Sequence, residues 1–232
     1  MMVTYARPDG ATLEGFLATP TAATAPGIVV IQEWWGLNEQ IEHVAERFAR
    51  LGYRALVPDL FRGQRAYQEH EAQHLMGGLN FADAAGQDIR GAVQHLKAAG
   101  CDRVAVTGFC MGGALTVLAL MHVPEADAGI VWYGCPPLEY VDATRIRVPL
   151  QGHWAKQDTV FPMQLADGLE RKLREARASY EFYHYEARHA FANEEADRTG
   201  LDYLKYDAAA AALAWERTEG FLRVHVPVPR TA

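Results

Sequence analysis

Along the 232-residue chain, short apolar runs alternate with stretches whose apolar positions recur every three or four residues. TLEGFLATP (12–20) alternates like a half-exposed strand, and TAATA after it is a small polar link. GIVVIQE (27–33) is a continuous β-branched run, as expected of a strand covered on both faces. Asn38 can cap the next helix, whose apolar positions are Ile41, Val44, Ala45, Phe48 and Leu51; Gly52 ends it, and YRALVPDLF supplies another buried strand. Residues 62–80 are polar, irregular and partly helical, and Asp83 is expected to start a helix that runs through Ala99. DRVAVTG is a strand followed by a turn and a helix to about His122. AGIVWYG and RVPLQGHW are strands, FPMQLADGLERKLREA a helix, YEFYHYEARH a strand entering a loop, and Tyr206 to Val224 a closing helix. This alternation predicts an α/β chain with a mostly parallel central sheet and helices on both faces. Nothing repeats, and no Gly/Ser/Pro-rich linker divides the chain, so 1–232 reads as one domain.

Composition narrows the partners. Half the residues are hydrophobic, 22% are charged and the formal net charge is -7, which argues against nucleic acid or an anionic membrane surface. The start, MMVTYARPDG, lacks a basic segment followed by an apolar core, and no apolar run approaches the ~20 residues of a membrane span. Three cysteines at unrelated spacings read as reduced thiols, and the expected location is the cytoplasm. His70 and His74 stand at i, i+4 without a third ligand nearby, so neither a metal nor a cofactor is expected.

The chemistry centres on VAVTGFCMGGALTVLAL (104–120). A strand that turns abruptly into a helix strains its apex residue, and glycines two positions before and after (Gly108, Gly112) remove the clashing Cβ atoms. Cys110 at the apex then stands above the carboxyl end of the sheet, where open α/β sheets hold their ligands. The helix beginning at Met111 aims its dipole and free N–H groups at the sulfur, which favours a thiolate and a developing oxyanion. Cys101 and Cys135 lack such surroundings and read as packing.

A thiol nucleophile needs a base, and the base an orienting acid, in the chain order nucleophile, acid, histidine. His189 follows the YEFYHY strand at its carboxyl end and is the candidate base; His122, His153, His184 and His225 read as structural or exposed. Asp158 follows the strand RVPLQGHW and is the candidate acid, with helix capping as its competing role; Asp127 and Asp142 follow no convincing strand.

Assembled in this way, the chain resembles the dienelactone hydrolase (carboxymethylenebutenolidase) family, a cysteine branch of the α/β-hydrolases. The motifs are QEWWGLN (32–38), PDLFRG (58–63), GFCMGG (108–113), YGCP (133–136), the Asp158 loop and RHAFAN (188–193). The resemblance implies a Cys-Asp-His triad at Cys110, Asp158 and His189. It also implies that Glu33 holds the cysteine as a neutral thiol until substrate arrives and then takes its proton; a helix-capping role for Glu33 is the alternative. Oxyanion donors are expected from the N–H groups of Met111 and Trp34, in a pocket edged by Trp34, Trp35, Phe61 and Tyr133. Family members acting on dienelactone grip its carboxylate with two arginines. Arg62 or Arg65 could supply the first, whereas Asn193 stands at the second position, with Arg188 as a substitute. The expected activity is hydrolysis of small esters or lactones through a thioester. The alternatives are a carboxylesterase of wider range and a catalytically silent ligand-binding protein.

Overall fold

The computed structural model describes residues 1–229, so the last three positions of the 1–232 unit lie outside the described residues. Eight strands form one sheet: β1 (Met2–Ala6), β2 (Thr12–Ala18), β3 (Gly27–Ile31), β4 (Arg54–Pro58), β5 (Val104–Phe109), β6 (Ala128–Trp132), β7 (Leu150–Ala155) and β8 (Tyr180–Tyr185). Their spatial order is β1-β2-β4-β3-β5-β6-β7-β8. The first two pairings are antiparallel and all others parallel. Strands β3, β5, β6 and β7 are buried at every position, as their uninterrupted apolar runs require.

The helices are α1 (Glu39–Arg50), α2 (Glu69–Gly78), α3 (Phe81–Asp83), α4 (Arg90–Ala98), α5 (Met111–His122), α6 (Met163–Glu175) and α7 (Ala208–His225). Asn38 caps α1 by accepting the Ile41 N–H at 3.2 Å, and the helix buries Ile41, Val44, Ala45 and Phe48. Helix α5 is buried from Met111 to Met121, which explains why MGGALTVLALM shows no polar face.

Four features differ from the sequence reading. β1 was not foreseen: it sits at the sheet edge, where most of its side chains meet solvent and no apolar run marks it. The helix expected from Asp83 begins at Phe81, because Asn80 caps it by accepting the Asp83 N–H at 3.1 Å. Between α3 and α4 the backbone widens into a π-helical segment, Ala84–Ile89, that buries Asp88. Asp207 caps α7, so that helix starts two residues after Tyr206.

Sheet order decides what meets. Strands β3, β5, β6, β7 and β8 are consecutive neighbours. Glu33, Cys110, Tyr133, Asp158 and His189 each follow the carboxyl end of one of them within four residues. Five distant chain segments therefore deliver five polar side chains to one edge.

Candidate active site

Cys110 links β5 to α5 with φ 54° and ψ −119°, a conformation that costs a non-glycine residue about 1–3 kcal/mol. The neighbours that hold it there are backbone. A Cβ on Gly108 would lie 2.1 Å from the Gly112 carbonyl oxygen, and one on Gly134 would lie 1.9 Å from the Cys110 carbonyl oxygen. The first constraint was legible in GFCMGG; the second comes from β6 and has no local signature. The N–H groups of Met111 and Trp34 donate to no backbone acceptor among the described residues, as oxyanion donors require. Cys110 is buried, at 7% exposure.

His189 is 1% exposed, and its Nδ1–H donates to Asp158 Oδ2 at 2.7 Å. Asp158 Oδ1 accepts the N–H groups of Val160 and Phe161, both at 2.8 Å. The carboxylate thus fills both roles weighed for it: one oxygen caps the turn before α6 and the other orients the imidazole. Nδ1 being occupied, Nε2 is the free nitrogen. Burial alone would depress the His189 pKa. The charge of the Cys110 sulfur and the hydrogen bonds toward Asp158 and Cys110 outweigh burial and raise it to about 10. Phe161 packs tilted on the ring at 5.6 Å and Tyr133 edge-on at 5.2 Å, which fixes its plane.

Glu33 is 4% exposed and lies beside these groups. Asn193 Nδ2 donates to its Oε2 at 2.7 Å, and the Tyr133 hydroxyl donates to its Oε1 at 3.3 Å. Burial raises the Glu33 pKa, while the positive His189 ring and the two hydrogen bonds pull it down. Asn38, five positions on, caps α1, so Glu33 is not that helix's cap.

The expected substrate-binding residues have the following partners. Asn193 and Tyr133 are buried, at 3% and 0% exposure, and both donate a hydrogen bond to Glu33. Arg62 makes a two-pronged ion pair with Asp88, each contact 3.0 Å, and Arg65 reaches Glu42 at 3.3 Å. Arg188 donates to the Asp202 carbonyl. Trp34 is half-buried and packs edge-on against the buried Trp35 at 5.3 Å, and Phe61 is buried nearby under Gly36. Sequence reasoning missed Phe161 and the Glu33-holding roles of Tyr133 and Asn193. The available signal was positional, since Tyr133 follows β6 as Cys110 follows β5.

The competing residues have other occupations. Asp127 accepts from Lys97 and the Val104 N–H, and Asp142 caps the turn at 143–145. His184 is exposed on β8, and His153 is enclosed by Tyr185, Gln151 and Thr218. Cys101 and Cys135 are buried, and burial pushes the Cys135 thiol up to about 12. Among the described residues no group of three or more His, Cys, Asp or Glu side chains could hold a metal ion, and no helix is long and apolar enough to cross a membrane.

The model of the dienelactone hydrolase family matches residues 13–226. A protein of Methylorubrum extorquens named "Putative carboxymethylenebutenolidase" is 32% identical over 85% of this chain and 72% of its own length. "Protein usf" of Aquifex pyrophilus is 30% identical over 94% of this chain and 96% of its own. The crystal structure of a dienelactone hydrolase-like promiscuous phosphotriesterase from metagenomic libraries superposes with a TM-score of 0.85, covering 97% and 98% of the two chains at 22% identity, a likeness of fold.

Proposed function

Because the chain belongs to the dienelactone hydrolase family and is a hydrolase of ester bonds, we propose that it cleaves small esters or lactones with Cys110 as nucleophile, through a thioester. The observation that carries this reading is the 2.7 Å Asp158–His189 pair beside an apex cysteine locked above the sheet. Cys110 loses its proton to His189 Nε2 or to Glu33, and the sulfur attacks the carbonyl carbon. The carbonyl oxygen gains the charge and accepts the N–H groups of Met111 and Trp34; one such donor contributes about 2.7–4 kcal/mol to the barrier. The carbon–oxygen bond breaks, and the protonated base passes its proton to the departing alkoxide. A water deprotonated by His189 then attacks the thioester. The acid leaves, and the thiolate regains its proton. Asp158 keeps Nδ1–H fixed throughout, so that Nε2 is the nitrogen presented to sulfur and water.

The wider carboxylesterase range is favoured by a specific observation. Arg62, Arg65 and Asn193 are committed to Asp88, Glu42 and Glu33, so no guanidinium fork is assembled for a substrate carboxylate. The test is turnover of p-nitrophenyl acetate. Cys110→Ala should lower kcat by about 10⁴ or more, and wild-type enzyme quenched during turnover should carry an acetyl group on Cys110. Undiminished activity in Cys110→Ala would overturn the assignment.

A further inference from the structure

The chain after His189 returns along it. Lys205 N–H donates to the His189 carbonyl at 3.0 Å and Asp207 N–H to the Phe191 carbonyl at 3.0 Å, with a parallel bridge between His189 and Leu204. The segment 201–207 is therefore strapped beside the loop that carries the imidazole. From this strap the Tyr203 hydroxyl reaches Glu69, the first residue of α2, and donates to its Oε1 at 2.7 Å. The bond joins positions 134 apart in the chain. Both residues are half-buried, and Gln73 donates to the same oxygen at 3.4 Å, so Oε2 has no hydrogen-bond partner among the described residues. Tyr203 directly precedes Leu204, which bridges His189, so the phenol stands beside the loop that carries the imidazole. Burial, the Glu69 contact and the sulfur's charge raise the phenol's pKa, which keeps its hydroxyl a donor to the carboxylate.

The neighbouring basic side chains have other partners: Lys205, two residues after Tyr203, pairs with Asp197 at 2.8 Å. Arg62 faces Asp88, Arg65 faces Glu42 and Arg188 faces the Asp202 carbonyl. We infer that Glu69, fixed by Tyr203, is a specificity-determining residue at the rim of the Cys110 site: its carboxylate disfavours acyl groups that carry their own carboxylate and selects neutral or cationic esters. A charge held by a hydrogen bond at a partly dry rim acts on an incoming like charge more strongly than a freely solvated one. This inference rests on the ester-hydrolase reading of the site and deepens it to a substrate class.

The test compares two esters with the same leaving group and acyl length, p-nitrophenyl butanoate and mono-p-nitrophenyl succinate. The readout is the succinate-to-butanoate ratio of kcat/KM. Glu69→Gln should raise that ratio about tenfold, chiefly through KM for the succinate, while Glu69→Asp, which keeps the charge but not its reach to Tyr203, should raise it no more than Tyr203→Phe does. Tyr203→Phe, which frees the carboxylate from its fixed position, should raise it about threefold. Added salt should raise the ratio in the wild type and leave Glu69→Gln unmoved, a response that a purely structural role would not give. A ratio in Glu69→Gln within about twofold of the wild type overturns the inference. Failure of the nucleophile assignment would look different: Cys110→Ala would keep both activities while the Glu69 variants still changed their ratio.

Discussion

His153 and His189 are the same residue type at nearly the same burial, 0% and 1% exposed, on neighbouring strands' segments, yet they titrate in opposite directions. Around His153 every partner is neutral. Gln151 Oε1 can only accept, so Nε2–H donates to it at 2.9 Å, and Nδ1 accepts the Tyr185 hydroxyl at 2.8 Å. Thr218 completes the ring's surroundings at 3.0 Å. Burial, helped by the charge of Arg217, takes its pKa down to about 3. Around His189 stand two acidic groups, the Asp158 carboxyl and the Cys110 thiol, and their charge and hydrogen bonds raise its pKa to about 10 against the same desolvation. Burial pulls both pKa values down, and an interior histidine can carry a proton only where acidic partners at its nitrogens outweigh that burial.

The largest expected effect comes from erasing that difference. Asp158→Asn keeps the shape and the turn-capping oxygen but removes the charge, and its amide can place the ring in the wrong tautomer. The His189 pKa should fall, and kcat on p-nitrophenyl acetate should drop by about 10³–10⁴. A titration of the His189 ring by NMR should show the shift directly. A variant with kcat within about tenfold of wild type would mean that the anionic partner is not what makes His189 different.

The opposite intervention acts on stability. His153→Leu leaves Gln151 Oε1, Thr218 and the Tyr185 hydroxyl without their partner and should lower the unfolding free energy by about 2–4 kcal/mol at pH 7. The rate constant kcat should stay within about twofold. The pH dependence separates the two sites further. The folded pKa of His153 lies far below its value of 6.5 in an unfolded chain, so its neutral form stabilises the fold above pH 6.5, and that contribution is lost as pH falls toward 3. The raised pKa of His189 has the reverse sign: its contribution is complete below pH 6.5 and disappears as pH rises through 10. Urea unfolding should therefore show a shallower loss between pH 6 and 4 in His153→Leu than in the wild type. An equal loss in both proteins would assign the acid sensitivity elsewhere.

The contrast also shows what a linear sequence carries. His189 could be separated from His153 by position alone, because one follows its strand into a loop and the other sits inside β7. The turn at Cys110, its flanking glycines and the cap at Asn38 were legible for the same reason: each is a demand of local backbone geometry. What was not legible depends on partners far along the chain. Asn193 has the identity of a residue that could face a substrate, but its amide turns to Glu33, 160 positions away. Arg62 is drawn to Asp88, a buried acceptor 26 positions away in a π-helical segment. The short strand β1 has no apolar signature of its own and exists because β2 presents an edge to it.

The smallest effect is the most diagnostic of what neutral partners contribute. Tyr185→Phe removes one hydroxyl from the His153 Nδ1 and leaves that nitrogen a buried acceptor without a donor. The expected cost is about 1–2 kcal/mol of unfolding free energy, less than His153→Leu because only one bond is lost and the ring still fills its space. The phenyl ring keeps its tilted stack on Phe191 at 5.0 Å, so packing next to the His189 loop is preserved and kcat should not change. The His153 pKa should stay depressed, since desolvation rather than the hydroxyl sets it. If Tyr185→Phe instead brings the ring's titration up toward pH 6, the hydroxyl was excluding water from the nitrogen. Neutrality at His153 would then be a matter of access, and the two histidines would differ by solvent as well as by charge.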